Sequence, residues 1–305
     1  MTLRDRAIEF LFQRVWTSAR YWYVQLCAWC LTFFFGKVDD AWLLTSDFGT
    51  WLGHDIHNDD EQTLINRLGE ADIVLVWIQG VGFRSHLGRL YYPTFVRLID
   101  ELAKKNIKCT MLMAKYALKP YPAPLDDLVK LQTWLHQSLQ VPGSKVVWGA
   151  DDAGAAIALD TLYRRDLPTE QQPASLMLVS PYIGMESGGK SWQDNLTEDR
   201  LTDKDVEAME SRYAPGLRDD SYKEDEPLAY LHNTADMSRF SSLRILLHMG
   251  EQQVLLEDAP WFKEKLESGG NTKVQLVTTP GRHLDALLLG KSSDIGHWVD
   301  FLAAK

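Results

Sequence analysis

Cysteine is scarce in this chain: three in 305 residues. An odd count makes no disulfide framework. Such usage suits a reducing compartment, so a cytoplasmic location is expected. Basic charge is also in short supply, with 32 Lys and Arg against 42 Asp and Glu, a net charge of −10. That excludes a nucleic-acid partner of the usual kind, which needs a basic face for phosphates. No internal repeat or low-complexity segment is visible, and no apolar run reaches the ~20 residues that span a bilayer. What is present is ordinary for a globular protein: 45% hydrophobic and 24% charged residues. Disordered and fibrous classes are therefore excluded. A chain of this length can bury a full core without disulfides or metals, as one large domain or two small ones.

The first forty residues differ from the rest. Residues 21–35 read YWYVQLCAWCLTFFF and are flanked by Arg20 and Lys37. Upstream, Arg4, Arg6, Glu9, Gln13 and Arg14 alternate with apolar residues at helical spacing. A secretory signal would carry its apolar run nearer Met1, followed by small residues at a cleavage site, and that pattern is not seen here. Two readings follow: a helix packed on the main domain as a lid, or an interfacial helix associating with a membrane surface through residues 11–35. Cys27 and Cys30 form a C-x-x-C with no second pair and no His at zinc spacing, so both are read as small apolar packing residues. His54 and His57 stand near Asp55 and Asp59 in a polar stretch and are read as solvated. No metal or cofactor is expected.

Further on, short apolar runs at 72–77, 107–113, 145–148, 175–179, 243–249 and 274–278 read as buried strands. Helical spacing appears at 92–104, 125–139, 156–163, 261–267 and 295–304, while the proline-rich stretch 116–124 reads as loop. Residues 184–241 are polar and acidic and read as an insertion of helices and loops. Strands alternating with helices predict an α/β fold with a mostly parallel sheet, helices on both faces and a helical lid. The expected division is a lid or membrane-interface segment at 1–65 and a core at 66–305. Ligands in such sheets bind at the carboxyl ends of the strands, where the suggestive loops should converge.

Those loops carry a resemblance. Gln79-Gly80-Val81-Gly82-Phe83 follows the first core strand. Tyr116-Ala117-Leu118-Lys119-Pro120 leads into Tyr121-Pro122-Ala123. Ala150-Asp151-Asp152-Ala153-Gly154-Ala155 joins a strand to a helix, Ser180-Pro181-Tyr182 follows the next strand, and Ser187, Gly188, Ser191, Trp192 and Asn195 lie in the insertion. Gly250-Glu251-Gln252-Gln253-Val254-Leu255 and Gly281-Arg282-His283-Leu284-Asp285 close the series. In this order they resemble the α/β-hydrolase fold, and more narrowly the hormone-sensitive-lipase-type esterases and the fungal steryl-acetyl-hydrolase-like group, over about residues 70–305. The resemblance implies an oxyanion loop at Gln79–Phe83, a nucleophile elbow at Asp152 with Ala153 beside it, a triad-acid position at Gln253 and a triad histidine at His283. Tyr182 would border the substrate.

Two of the three triad positions have changed type. A serine esterase needs a hydroxyl activated by imidazole and an anion behind the imidazolium. Asp152 replaces the serine, and Gln253 can hydrogen-bond but carries no charge. Val81 adds bulk where the family has glycine. The leading expectation is therefore an atypical enzyme acting on a hydrophobic small molecule, in natural-product biosynthesis. Asp152 and His283 would perform acid/base chemistry (cyclisation, isomerisation, elimination or an aldol-type step), with residues 79–82 polarising a carbonyl. Two alternatives stand beside it. One is an inactive hydrolase-like protein that binds an apolar ligand or a protein partner. The other is an epoxide or haloalkane hydrolase with Asp152 as nucleophile, in which Glu257, Asp258 or Asp285 replaces the missing acid and Tyr182 or Tyr213 opens the epoxide. A homodimer is compatible with the resemblance. Trp148 is read as strand core and Glu251 as solvent-facing.

Overall fold

The computed structural model describes residues 6–7, 10, 21–80, 88–183, 189–214, 227–228, 231, 237–271 and 273–304. Its centre is one eight-stranded sheet: β1 (Leu43–Ser46), β2 (Gly49–Leu52), β3 (Ile73–Ile78), β4 (Cys109–Ala114), β5 (Val146–Asp151), β6 (Ser175–Pro181), β7 (Arg244–Gly250) and β8 (Val274–Thr279), in the order 1-2-4-3-5-6-7-8. β1 and β2 form an antiparallel hairpin, and β2 joins β4 antiparallel. All remaining pairs are parallel.

β3 to β6 are buried along their whole length, as expected for parallel strands covered on both faces. Successive side chains alternate between two cores, as the strand period of two requires. From β3, Val74, Val76 and Ile78 enter one core, and Ile73, Leu75 and Trp77 the other. Helices α4 (Ala123–Gln137), α5 (Asp152–Arg164) and α8 (Asp258–Ser268) supply the first core. Helices α3 (Tyr92–Lys104) and α10 (Ser292–Ala303) supply the second. Each fully buried aliphatic side chain contributes roughly 1.5–3 kcal/mol.

The insertion after β6 contains α6 (Lys190–Asn195) and α7 (Asp203–Tyr213). Thr202 and Asp205 close the start of α7 with a reciprocal capping box. The remaining helices are α1 (Tyr21–Phe35), α2 (Glu61–Glu70) and the short α9 (Asp285–Leu289). Among the described residues no helix is long and apolar enough to cross a membrane.

The six expected strands are all present. The β1–β2 hairpin and α2 are additions that the sequence reading placed in an N-terminal lid segment ending at residue 65. That boundary is corrected: it falls inside α2, and β1 and β2 are integral to the sheet. These strands are only four residues long, too short for their alternation to stand out. The proline-rich stretch also ends two residues early, because Pro124 sits in the first turn of α4, where its missing N–H costs nothing.

Candidate functional site

Strand β5 ends at Asp151, and α5 begins at Asp152 with no intervening loop. Asp152 therefore takes a left-handed backbone, φ 45°, a conformation that strains non-glycine residues and clusters at functional sites. The turn is held tightly. The Tyr182 N–H donates to the Asp152 carbonyl at 3.0 Å. A Cβ added at Gly80 would lie 2.2 Å from the Asp151 carbonyl oxygen, and one at Gly154 would lie 2.1 Å from that of Ile78. The β3 loop and the start of α5 thus touch backbone to backbone, and only glycine permits it. The helix start also presents backbone N–H groups that lack intrahelical acceptors, Ala153 among them, and favours an anion.

The neighbouring Asp151 is fully buried. Trp77 Nε1 donates to its Oδ1 at 2.7 Å, and the Tyr91 hydroxyl to its Oδ2 at 3.1 Å. Burial and then the charge of Asp152 push its carboxyl up to about 7, against the pull of hydrogen bonds from Trp77, Gly80 and Tyr91. Gln79 is buried and braces the loop: its Oε1 accepts the Gly88 N–H at 2.7 Å, and its carbonyl accepts the Tyr116 hydroxyl. That is a framing role, and no direct role toward substrate is evident from these bonds.

His283 reaches the elbow from the loop after β8. Its Nε2 lies 3.4 Å from Asp152 Oδ1, and both side chains are almost completely buried. Burial by itself pulls the imidazole down. Contact with Asp152 and its charge, joined by the charges of Asp199 and Asp151, outweigh burial and hold it above its ordinary value. The positive form of the imidazole is thereby favoured.

Gln253 does not orient the imidazole as a triad acid would. Its Nε2 donates to Ser180 Oγ at 2.7 Å and more distantly to the Arg282 carbonyl at 3.4 Å. Gln253 Oε1 and His283 Nδ1 are both buried with no hydrogen-bond partner among the described residues. Ser180 Oγ also accepts the Leu284 N–H at 3.2 Å, so it ties the acid loop to the histidine loop. Asp199, from the insertion, reinforces that tie. Its Oδ1 accepts the His283 N–H and its Oδ2 the Val254 N–H, both at 2.8 Å.

The structure thus brings Gln79, Gly80, Asp152, Ala153, Tyr182, Gln253 and His283 to the carboxyl edge of the sheet. Val81, Gly82, Phe83 and His86 lie outside the described residues. The Tyr182 hydroxyl is committed to Glu210 Oε1 at 2.9 Å, and the Tyr213 hydroxyl faces Asp160 at 3.5 Å. Two of the three proposed substitutes for the acid are engaged elsewhere, and the third is buried with its proton favoured. Asp285 pairs with the buried Arg200, Glu257 accepts the Ser191 N–H at 3.2 Å, and Asp258 is raised to about 8 by burial and then by Glu257. Asp199, Tyr91 and Trp77 carry no signal in the sequence, and Ser180 enters only through the Ser180-Pro181-Tyr182 motif, without its tie to Gln253 and Leu284. Nothing in their local spacing marks them, since each acts across a long chain separation.

Trp148 is strand core, its Nε1 donating to Gln132 at 3.0 Å. Glu251 is exposed. His54 pairs with Asp100 at 3.2 Å. Cys27 and Cys30 are free and partly buried, and among the described residues no group of side chains has the makings of a metal site.

Residues 75–285, more than two thirds of the chain, match the family described as alpha/beta hydrolase fold. An esterase of Acinetobacter venetianus is 28% identical over 194 residues, covering 61% of this chain and 60% of that protein. The chain thus spans less than two thirds of that relative's length. Solved structures share the fold. An esterase from the bacterial hormone-sensitive lipase family superposes with TM-score 0.73 at 20% identity, covering 98% of this chain and 96% of that one. A hormone-sensitive lipase from a metagenome library gives 0.75 at 18% identity, covering 100% and 99%.

These comparisons overturn the leading functional expectation. The similar proteins are named esterases and lipases, which points to ester hydrolysis and away from non-hydrolytic acid/base catalysis in natural-product biosynthesis. The two alternatives, an inactive binding protein and an epoxide or haloalkane hydrolase, give way with it. The sheet order, the elbow at the end of β5, the histidine after β8 and the match across most of the chain agree with one another: this chain belongs to the alpha/beta hydrolase fold family.

Proposed function

We propose that this protein hydrolyses a carboxylic ester of a hydrophobic small molecule, with the triad positions occupied by Asp152, Gln253 and His283. The observation that carries the reading is the buried pair of Asp152 and His283, 3.4 Å apart at the elbow, in a chain whose curated relative is an esterase. The narrower likeness to fungal steryl-acetyl-hydrolase-like proteins is part of the same reading and rests on the ordered set of loop motifs as a whole.

An aspartate at the elbow suits a water-mediated route. Asp152 takes a proton from a water molecule as that water adds to the ester carbonyl. The oxygen of the resulting tetrahedral intermediate is stabilised by backbone N–H groups at the start of α5, Ala153 in particular. His283, favoured in its positive form, donates its proton to the departing alkoxide. The C–O bond to the alcohol breaks, and acid and alcohol leave. The proton then passes from Asp152 to His283, restoring both groups, so one water is consumed per ester and nothing else is required.

The test is hydrolysis of short p-nitrophenyl esters by wild type and Asp152→Ala. Wild type should release nitrophenol well above the buffer rate, and the variant should fall by roughly 10²–10⁴-fold, the usual contribution of a positioned acid or base. Full activity in Asp152→Ala, with its fold confirmed by circular dichroism, would end the proposal.

A further inference from the structure

Helix α1 plays no part in the proposed hydrolysis, and its two faces differ. Cys27, Leu31 and Phe35 pack against the second core. The helix end abuts the turn at residues 88–91, where a Cβ on Gly36 would lie 2.4 Å from the Arg89 carbonyl oxygen. The opposite face is bare: Leu26, Trp29, Phe33 and Phe34 are 50%, 64%, 64% and 70% exposed. Trp29 stacks on Phe33 at 5.8 Å, and Phe33 meets Phe34 edge-on at 5.3 Å, so the rings form one patch. With Phe10, these account for five of the six exposed large apolar side chains among the described residues. A concentration of this kind marks an interaction site.

Charge identifies the partner. Residues 1–37 hold Arg4, Arg6, Arg14, Arg20 and Lys37 against Asp5 and Glu9, a surplus of three positive charges. The remaining residues carry −13, since the whole chain is −10. A second copy of this chain would bring two like surpluses together. An anionic lipid surface attracts this segment and repels the rest, which fixes the orientation. Tryptophan and phenylalanine flanked by basic residues suit the headgroup boundary, and a 15-residue helix is long enough to lie in that plane. We propose that α1 docks the protein on anionic membranes, with Trp29, Phe33 and Phe34 in the headgroup–acyl region and Lys37 beside lipid phosphates. This stands independently of the hydrolytic reading.

The test is flotation of the full chain with vesicles of phosphatidylcholine alone or with about 30% phosphatidylserine. Wild type should bind the anionic vesicles about tenfold or more tightly than the neutral ones, with each nearby basic residue contributing to the attraction. The preference should collapse in 0.5 M salt as the Debye length shrinks to roughly 4 Å. Trp29→Ser/Phe33→Ser/Phe34→Ser should abolish binding, and Arg20→Glu/Lys37→Glu should erase the preference for anionic lipid. Absence of flotation by wild type overturns the proposal. So does equal binding by the triple variant, or a wild-type dimer that becomes monomeric in that variant. Should the triple variant misfold, the wild-type arms decide, because binding indifferent to both salt and lipid charge also overturns it.

Discussion

The carboxylate of Asp199 bridges two loops that lie far apart in the chain, accepting the backbone N–H of His283 through one oxygen and that of Val254 through the other. It fixes where the imidazole stands and adds negative charge beside it. Asp199→Ala should cost about 2 kcal/mol or more by leaving three N–H groups, those of His283, Val254 and Arg200, without their acceptor. It should also lower the imidazole pKa. If His283 donates a proton in turnover, the alkaline limb of the pH–rate profile moves to lower pH. Asp199→Asn, which keeps one acceptor oxygen, should restore part of the stability and little of the pH shift. An unmoved limb in both variants would reduce Asp199 to a purely structural tie.

The Asp152–His283 pair makes stability depend on pH with a defined sign. The imidazole sits above its unfolded value of about 6.5 in the folded protein. Its contribution is therefore fully present below pH 6.5 and is lost as pH rises through the folded value. Wild type should exceed Asp152→Asn in denaturant midpoint at pH 6, and the gap should narrow steadily toward pH 9. A gap that widens with pH would contradict the pairing.

Tyr91→Phe removes one hydrogen bond to a buried carboxyl, and its cost should depend on that carboxyl's charge. Asp151 is raised from 3.8 to about 7 in the fold, so its ionisation works against stability as pH climbs through that interval and reaches its full cost above 7. The Tyr91 hydroxyl opposes this cost by favouring the charged form. The substitution should lose about 1–3 kcal/mol at pH 8.5 and clearly less at pH 5, where the folded carboxyl keeps its proton. Equal losses at both values would show that the bond is indifferent to charge.

Asp152→Ser combined with Gln253→Asp should rebuild a serine triad on an existing frame. Gln253 Oε1 and His283 Nδ1 are both buried without partners among the described residues, so each is available for a new bond once the Gln253–Ser180 contact is replaced. The double variant should hydrolyse p-nitrophenyl esters with a burst of nitrophenol and exceed either single variant by roughly 10²-fold or more, since triad members act as a unit. Additive effects of the two changes would show that residue 253 lies beyond reach of the imidazole.

Much of this site was legible from local chain. Buried parallel strands write themselves as apolar runs, so β3 to β8 are legible, while Asp152, Gln253 and His283 are placed through the resemblance of their loops to a known family. What escaped is non-local. Asp199 meets His283 across 84 positions, and Tyr91 meets Asp151 across 60, with no periodicity to link them. The β1–β2 hairpin escaped because four-residue strands carry too little alternation. The functional expectation failed for another reason: it rested the reaction on one changed side chain, whereas the similar proteins are named esterases and lipases.

The glycine contacts at the elbow have a consequence for how such a protein can change over generations. At Gly80 and Gly154 the β3 loop and the start of α5 approach peptide unit to peptide unit. The reactive residue can therefore be exchanged for one of different chemistry while the scaffold keeps its dimensions. A change of side chain at Asp152 leaves the loop spacing untouched, whereas any side chain at Gly80 or Gly154 would have to displace backbone.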